Sequence, residues 1–166
     1  MPPNDPATDS PTAFDVDVVE VEPTTVVGIQ RHYDGDDSIF QPLWQEFGRR
    51  WSEFDQLATE DAGYGVATDV EMEPMAFDYT VGVPTDDAGT APDDFVTVEI
   101  PGGSYARFET TLDEFDADHE RLTNEWLPSS GYRRRPGPEF ERYGPEFDPE
   151  DRTSTYEYYV PVSGAD

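Results

Sequence analysis

Two stretches of this chain repeat one another at a fixed distance, and that spacing limits the possible folds more than any other feature. FDYTVGV at residues 77 to 83 lies over YEYYVPV at 156 to 162 at an offset of 79, matching aromatic, acid, tyrosine and two valines in place. At the same offset Leu43 and Phe47 fall on Leu122 and Trp126, and Pro23 and Pro101 coincide within one residue. Strand, helix and turn agreeing on one offset point to an internal duplication.

The order of elements is consistent with it. From Phe14 to His32, Val16, Val18, Val21, Val26, Val27 and Ile29 alternate with polar residues around Pro23, which predicts one long strand bent at an edge proline. Phe40, Trp44, Phe47, Trp51, Phe54 and Ala58 recur at steps of three and four, one face of a helix over 39–58. Ser38 and Gln41 are spaced as a capping box, with Pro42 in the first turn, and Gly63 and Gly65 end the helix. Short strands follow at 64–70 and 77–84, then an Asp/Gly/Pro linker at 85–94. The second half repeats the pattern: strand, turn and strand over 95–108 around Pro101-Gly102-Gly103, then a helix over 114–126. That helix has Asp113 as its cap and presents Phe115, His119, Leu122 and Trp126. Strands at 139–143 and 155–162 close the chain after a Pro/Gly-rich stretch at 128–138. The expectation is an α+β domain over 14–162 built from two βαββ repeats, 14–84 and 95–162, sharing a curved antiparallel sheet with two helices. Residues 1–13 are expected to be a disordered acidic, proline-rich tail and 163–166 a short tail.

Charge narrows the function classes. Among 166 residues there are 38 acids against 10 bases, all of them arginine, for a formal charge of −28. Such a chain repels phosphates and anionic lipid, which argues against a nucleic-acid or membrane surface. With 13% aromatic residues it is nonetheless too rich in core formers to stay unfolded. An acidic, lysine-free surface around an aromatic core suits molar salt, so a salt-adapted cytoplasm is expected. No cysteine is present, and no stretch has the length and apolarity of a membrane span. His32 and His119 lack the spacing of a zinc helix, and after Asp34, Asp36 and Asp37 the twelfth position of a calcium loop is Gln45. Neither a metal nor a cofactor is expected. Pro101-Gly102-Gly103 lies between strands, as a turn rather than a phosphate cradle, and no Gly-x-Ser-x-Gly elbow is present. Arg133, Arg134 and Arg135 form the one basic run, expected to pair with neighbouring carboxylates or, less simply, to contact an anion or partner.

Tyr79, Tyr143, Trp51, Tyr105 and Phe108 are candidates for an aromatic box, whose ring faces attract cations or stack on planar rings. The plainer reading of aromatics at such spacing is core, and it is preferred for Trp44, Phe47 and Phe54. Tyr79 and Tyr143 stand out because a buried hydroxyl must find a partner, and a carboxylate across a groove is a suitable one. Glu157 sits in the aromatic strand YEYYV, where a carboxylate without a partner would be costly; alternatively it faces water, as Asp78 is expected to.

VEIPGGSYARFETT at 98–111, NEWLPSSGYRRRPGPEFERY at 124–143 and YEYYVPV at 156–162, with DYTVGVP in the first half, give the chain a family likeness. The Trp-Leu-Pro-x-Ser-Gly run, the Glu-x-Tyr and the final Glu before Val-Pro carry it. The chain resembles the GyrI-like small-molecule-binding domain. That domain forms the effector-binding part of multidrug-responsive and AraC-type transcription regulators and also occurs alone in gyrase-inhibitory proteins. The resemblance implies two βαββ units about a pseudo-twofold and an aromatic-lined central groove with a carboxylate from the last strand, where Glu157 stands. The expected function is that of a stand-alone binder of an aromatic organic molecule, cationic or neutral, acting in sensing, sequestration or regulation through a separate DNA-binding regulator. The resemblance leaves two alternatives: a hydrolase of electrophilic small molecules acting through Glu157 with Tyr143 or a Trp, and a protein-partner module of gyrase-inhibitor type.

Overall fold

The computed structural model describes residues 15–72, 75–86, 89, 91–148, 151 and 153–164. The expected tail at 1–13 lies outside the described residues. The chain winds through β1 (Asp17–Val21), β2 (Thr24–Tyr33), a 3-10 turn (Asp37–Ile39), α1 (Phe40–Arg49), α2 (Trp51–Asp55), β3 (Gly63–Met72) and β4 (Met75–Pro84). The second half comprises β5 (Val96–Ile100), β6 (Gly103–Thr110), α3 (Phe115–Arg121), a π-turn (Leu122–Trp126), α4 (Leu127–Ser130), β7 (Tyr132–Arg134), β8 (Glu139–Tyr143) and β9 (Tyr156–Gly164). All described strands join one curled antiparallel sheet in the order β1-β6-β9-β8-β3-β4-β2-β5, with β7 on β9.

That order reads the same from either end once the halves are exchanged: β1 answers β5, β2 answers β6, β4 answers β9 and β3 answers β8. The duplication expected at an offset of 79 is thus present as a pseudo-twofold between β3 and β8. FDYTVGV and YEYYVPV occupy equivalent strands, with Tyr79 equivalent to Tyr158. One expectation fails informatively. Residues 14–32 are not one bent strand, because Pro23 has no N–H with which to continue a ladder. The chain breaks at Glu22-Pro23, and the two strands part to opposite ends of the sheet, β1 pairing with β6 and β2 with β4 and β5. Since β5 crosses in the same way onto β2, the halves exchange their first strands.

Alternation along the strands sorts the core onto two faces. On one face, Val27, Ile29, Tyr79, Val81 and Val83 lie beneath Leu43, Phe47 and Phe54 of the first helices. On that same face Ala106, Phe108, Tyr158, Val160 and Val162 gather around Leu122 of the second. The opposite face buries Val26, Tyr64, Val66, Ile100, Tyr105, Phe140 and Tyr159, with Val19, Val21 and Val98 of the exchanged strands against them.

Each predicted helix is broken. The first turns at Arg50, whose amide is shared between the Glu46 and Phe47 carbonyls, and whose guanidinium joins Glu46, Glu53 and Asp94 and lies 4.6 Å over the Phe95 ring. The capping box does not form: the Ser38 amide and hydroxyl both donate to Asp36 Oδ1, at 3.0 and 2.6 Å. The second helix loosens into the π-turn at Leu122, and at its start Thr111 Oγ1 accepts from the Glu114 amide at 3.2 Å, the role expected of Asp113. β7 lies within the stretch 128–138, where no strand was expected.

Candidate functional site

The centre of the helix-bearing face is where the two halves meet, β3 beside β8, with Gly65 opposite Glu141. Glu141 Oε1 accepts the Tyr79 hydroxyl at 2.7 Å and the Tyr143 hydroxyl at 2.9 Å. Trp44 Nε1, from α1, donates to Tyr79 Oη at 3.2 Å, so a chain of donors converges on one carboxylate oxygen. The space exists because residue 65 is glycine. A Cβ there would stand 2.4 Å from Tyr79 Oη and 2.6 Å from Glu141 Oε1.

Aromatic rings surround the group. Trp44 meets Tyr143 edge-on at 4.7 Å, while Tyr143 stacks on Tyr156 at 4.5 Å and touches Phe147 at 4.8 Å. Loss of water around Glu141 pushes its pKa above the ordinary glutamate range, and the two hydroxyl bonds pull against that rise. The Tyr79 and Tyr143 hydroxyls are in turn held protonated far above their usual range, by burial first and by Glu141 next. Among the described residues, no arginine pairs with Glu141, whereas Glu60 and Glu157 each pair with Arg142.

Two residues earlier on β8, Glu139 points to the same face and is fully engaged. Its Oε1 accepts from Tyr158 Oη at 2.6 Å and faces His119 Nε2 at 3.0 Å, and its Oε2 is ion-paired with Arg134. Burial and the nearby Arg134 charge depress the pKa of His119.

The structure disperses several of the residues expected to share a groove. Tyr79 and Tyr143 do meet, but at Glu141 and not at Glu157. Glu157 lies on the opposite face of the sheet, 3.3 Å from Arg142 and 3.7 Å from Arg107, with the Tyr159 hydroxyl donating at 2.9 Å. It borders an open cavity of about 540 Å³ with Glu109, Arg142 and the loop after β8. Tyr105 is buried on that same far face, donating to the Pro101 carbonyl under the Arg135 guanidinium. Phe108 packs beneath the second helix against Tyr158, and Trp51 sits on α2 against Phe47, apart from the donors around Glu141. Trp44, expected as plain core, belongs to the Glu141 cluster, while Phe47 and Phe54 are core. Asp78 takes His32 Nδ1 at 2.9 Å. Of the arginine run, Arg134 pairs with Glu139 and Arg135 donates to the Val162 and Ser104 carbonyls. Among the described residues no cluster of His, Asp or Glu is arranged to hold a metal, and no helix is long and apolar enough to cross a membrane.

The family model described as Cass2, integron-associated effector binding protein, matches residues 17–162. The chain belongs to this family. No curated protein sequence is significantly similar to it. Among solved structures, SAV2435 bound to tetraphenylphosphonium is 16% identical, over 90% of this chain and 94% of its own, with a TM-score of 0.67. The C-terminal domain of EcmrR is 15% identical over 92% and 99%, with a TM-score of 0.63. The Cass2 integron cassette protein of Vibrio cholerae is 19% identical over 89% and 95%, with a TM-score of 0.56. This Cass2-family chain has the GyrI-like effector-binding fold that the residues at 98–111, 124–143 and 156–162 resemble. The sequence did contain the signal for its central carboxylate: Glu141-Arg142-Tyr143 is the Glu-x-Tyr of that resemblance.

Proposed function

We propose that this chain binds a lipophilic organic cation on the helix-bearing face of the sheet, with Glu141 as counter-charge and Trp44, Tyr143 and the neighbouring rings as walls. One observation carries the reading: a partly buried carboxylate, poorly hydrated and ringed by aromatics, that has hydroxyl donors and, among the described residues, no arginine. An ionised carboxylate in such a place is costly until a cation arrives, and the ring faces add about 0.5 to 2 kcal/mol for each favourable cation contact. Trp44 and Tyr143 keep partial exposure, so the cluster reaches the surface at these two rings. The phosphonium bound by SAV2435 is of the matching class, a single charge buried in aromatic surface.

Glu157, held by Arg142 and Arg107, has no such vacancy, and an acid–base role for it is not part of this reading. We also infer a salt-rich cytoplasm as the setting, on the strength of the −28 charge, and any regulatory output as passing through a separate DNA-binding protein, since so acidic a surface repels phosphate. Calorimetry with tetraphenylphosphonium and neutral triphenylphosphine oxide tests the site. Glu141→Gln should weaken the cation by about 10- to 100-fold, the range for a charge-assisted contact, and leave the neutral compound almost unchanged. Equal affinity of mutant and wild type for the cation would refute the site.

A further inference from the structure

We propose that Glu139, His119 and Arg134 form a charge-neutral shoulder beside the Glu141 cluster that restricts it to singly charged cations. This rests on the reading that Glu141 receives a cation. Glu139 and Glu141 are two residues apart on one strand and project to the same face, about 7 Å from each other. Left alone, Glu139 would make the site doubly negative and favour a dication.

The structure shows it cancelled instead. Arg134 pairs with one oxygen and is itself anchored by donating to Thr123 Oγ1 at 3.1 Å, while Tyr158 and His119 occupy the other oxygen. Because His119 has a depressed pKa, its imidazole is neutral near pH 7, and the arginine alone balances the carboxylate. The duplication sharpens the contrast. Tyr79 and Tyr158 are equivalent in the two repeats, and each donates its hydroxyl to a glutamate of β8. One of those glutamates has an arginine, and the other has none among the described residues. A ligand with a second cationic centre near Glu139 would therefore meet a satisfied ion pair and the flank of a guanidinium.

The test measures binding of tetraphenylphosphonium, benzyl viologen as a dication and neutral triphenylphosphine oxide to the full chain, at one salt concentration where every variant is folded. Arg134→Gln exposes the Glu139 charge and should raise benzyl viologen affinity by about tenfold or more, with a smaller gain for the monocation. Glu139→Gln leaves Arg134 uncancelled and should lower tetraphenylphosphonium affinity by about tenfold, the effect of one charge some 7 Å away at an effective dielectric of about 30. The neutral compound should not respond to either change. Opposite signs from two substitutions in one ion pair cannot come from lost structure. An unchanged preference between mono- and dication in Arg134→Gln, or a fall in phosphonium affinity in both variants, overturns the inference. If Arg134→Gln does not fold, Glu139→Gln decides alone, and unaltered phosphonium affinity there overturns it. The cation site itself fails by a different result, phosphonium binding insensitive to Glu141→Gln.

Discussion

Protonation of Glu141 and capture of a cation by its oxygens exclude one another, so the raised pKa of this residue predicts how binding depends on pH. Glu141 takes up its proton at a higher pH than a glutamate in water, and affinity for tetraphenylphosphonium should fall as pH drops through that raised value. Titrations across pH should show this loss in the wild type and a flat profile in Glu141→Gln. Stability runs the other way. A carboxyl group that holds its proton more tightly folded than unfolded favours the fold below its unfolded pKa, and the benefit disappears as pH rises through the folded value. Glu141→Gln should therefore melt no lower than wild type at pH 7, and higher if the desolvated charge is the cost we infer. Gly65→Ala should do the reverse, placing a methyl against Tyr79 Oη and Glu141 Oε1 and destabilising by about 1 to 3 kcal/mol in denaturant titrations. The two tyrosines were legible in the sequence because a buried hydroxyl demands an acceptor. Which glutamate answers them could not be read from the strand pattern, although the Glu-x-Tyr of the family likeness contains it. Glu141 and Glu157 each stand next to an aromatic residue on a strand, both faces of this sheet are apolar, and only long-range pairing decides which parity faces the helices.

Periodicity located the helices because large side chains recur at steps of three and four along one face of each, but it could not see where they break. The turn at Arg50 depends on Asp94, forty-four residues away, and the π-turn at Leu122 on how that side chain seats among Ala106, Phe108 and Val160. Leu122 is fully buried, so Leu122→Ala should cost about 2 to 5 kcal/mol, read from urea or guanidinium unfolding. A strand's residues likewise announced its existence and not its partner. β1 and β5 were expected within their own repeats, and the structure sends each to the other. The offset of 79 survives this exchange: β1 spans Asp17–Val21 and β5 spans Val96–Ile100, equivalent residue for residue. A duplication preserves local spacing whichever half the strand finally joins.

For the molecule as a whole, a charge of −28 sets the conditions under which all of this holds together. Self-repulsion should dominate at low ionic strength and fade as the Debye length shortens from about 10 Å at 0.1 M salt to about 3 Å at 1 M. Melting temperature measured from about 0.1 to 3 M salt should climb steeply, and a flat curve would contradict salt adaptation. The exchanged first strands have another consequence. Within the chain, β1 docks on β6 and β5 on β2, so each repeat lends an element to the other and neither can complete its own sheet. A lone repeat would hold one strand with no seat and one seat with no strand, and two identical copies could answer each other by trading them. The single chain has the connectivity of such a swapped pair with one linker added, the form expected if an ancestral homodimer became a single gene product.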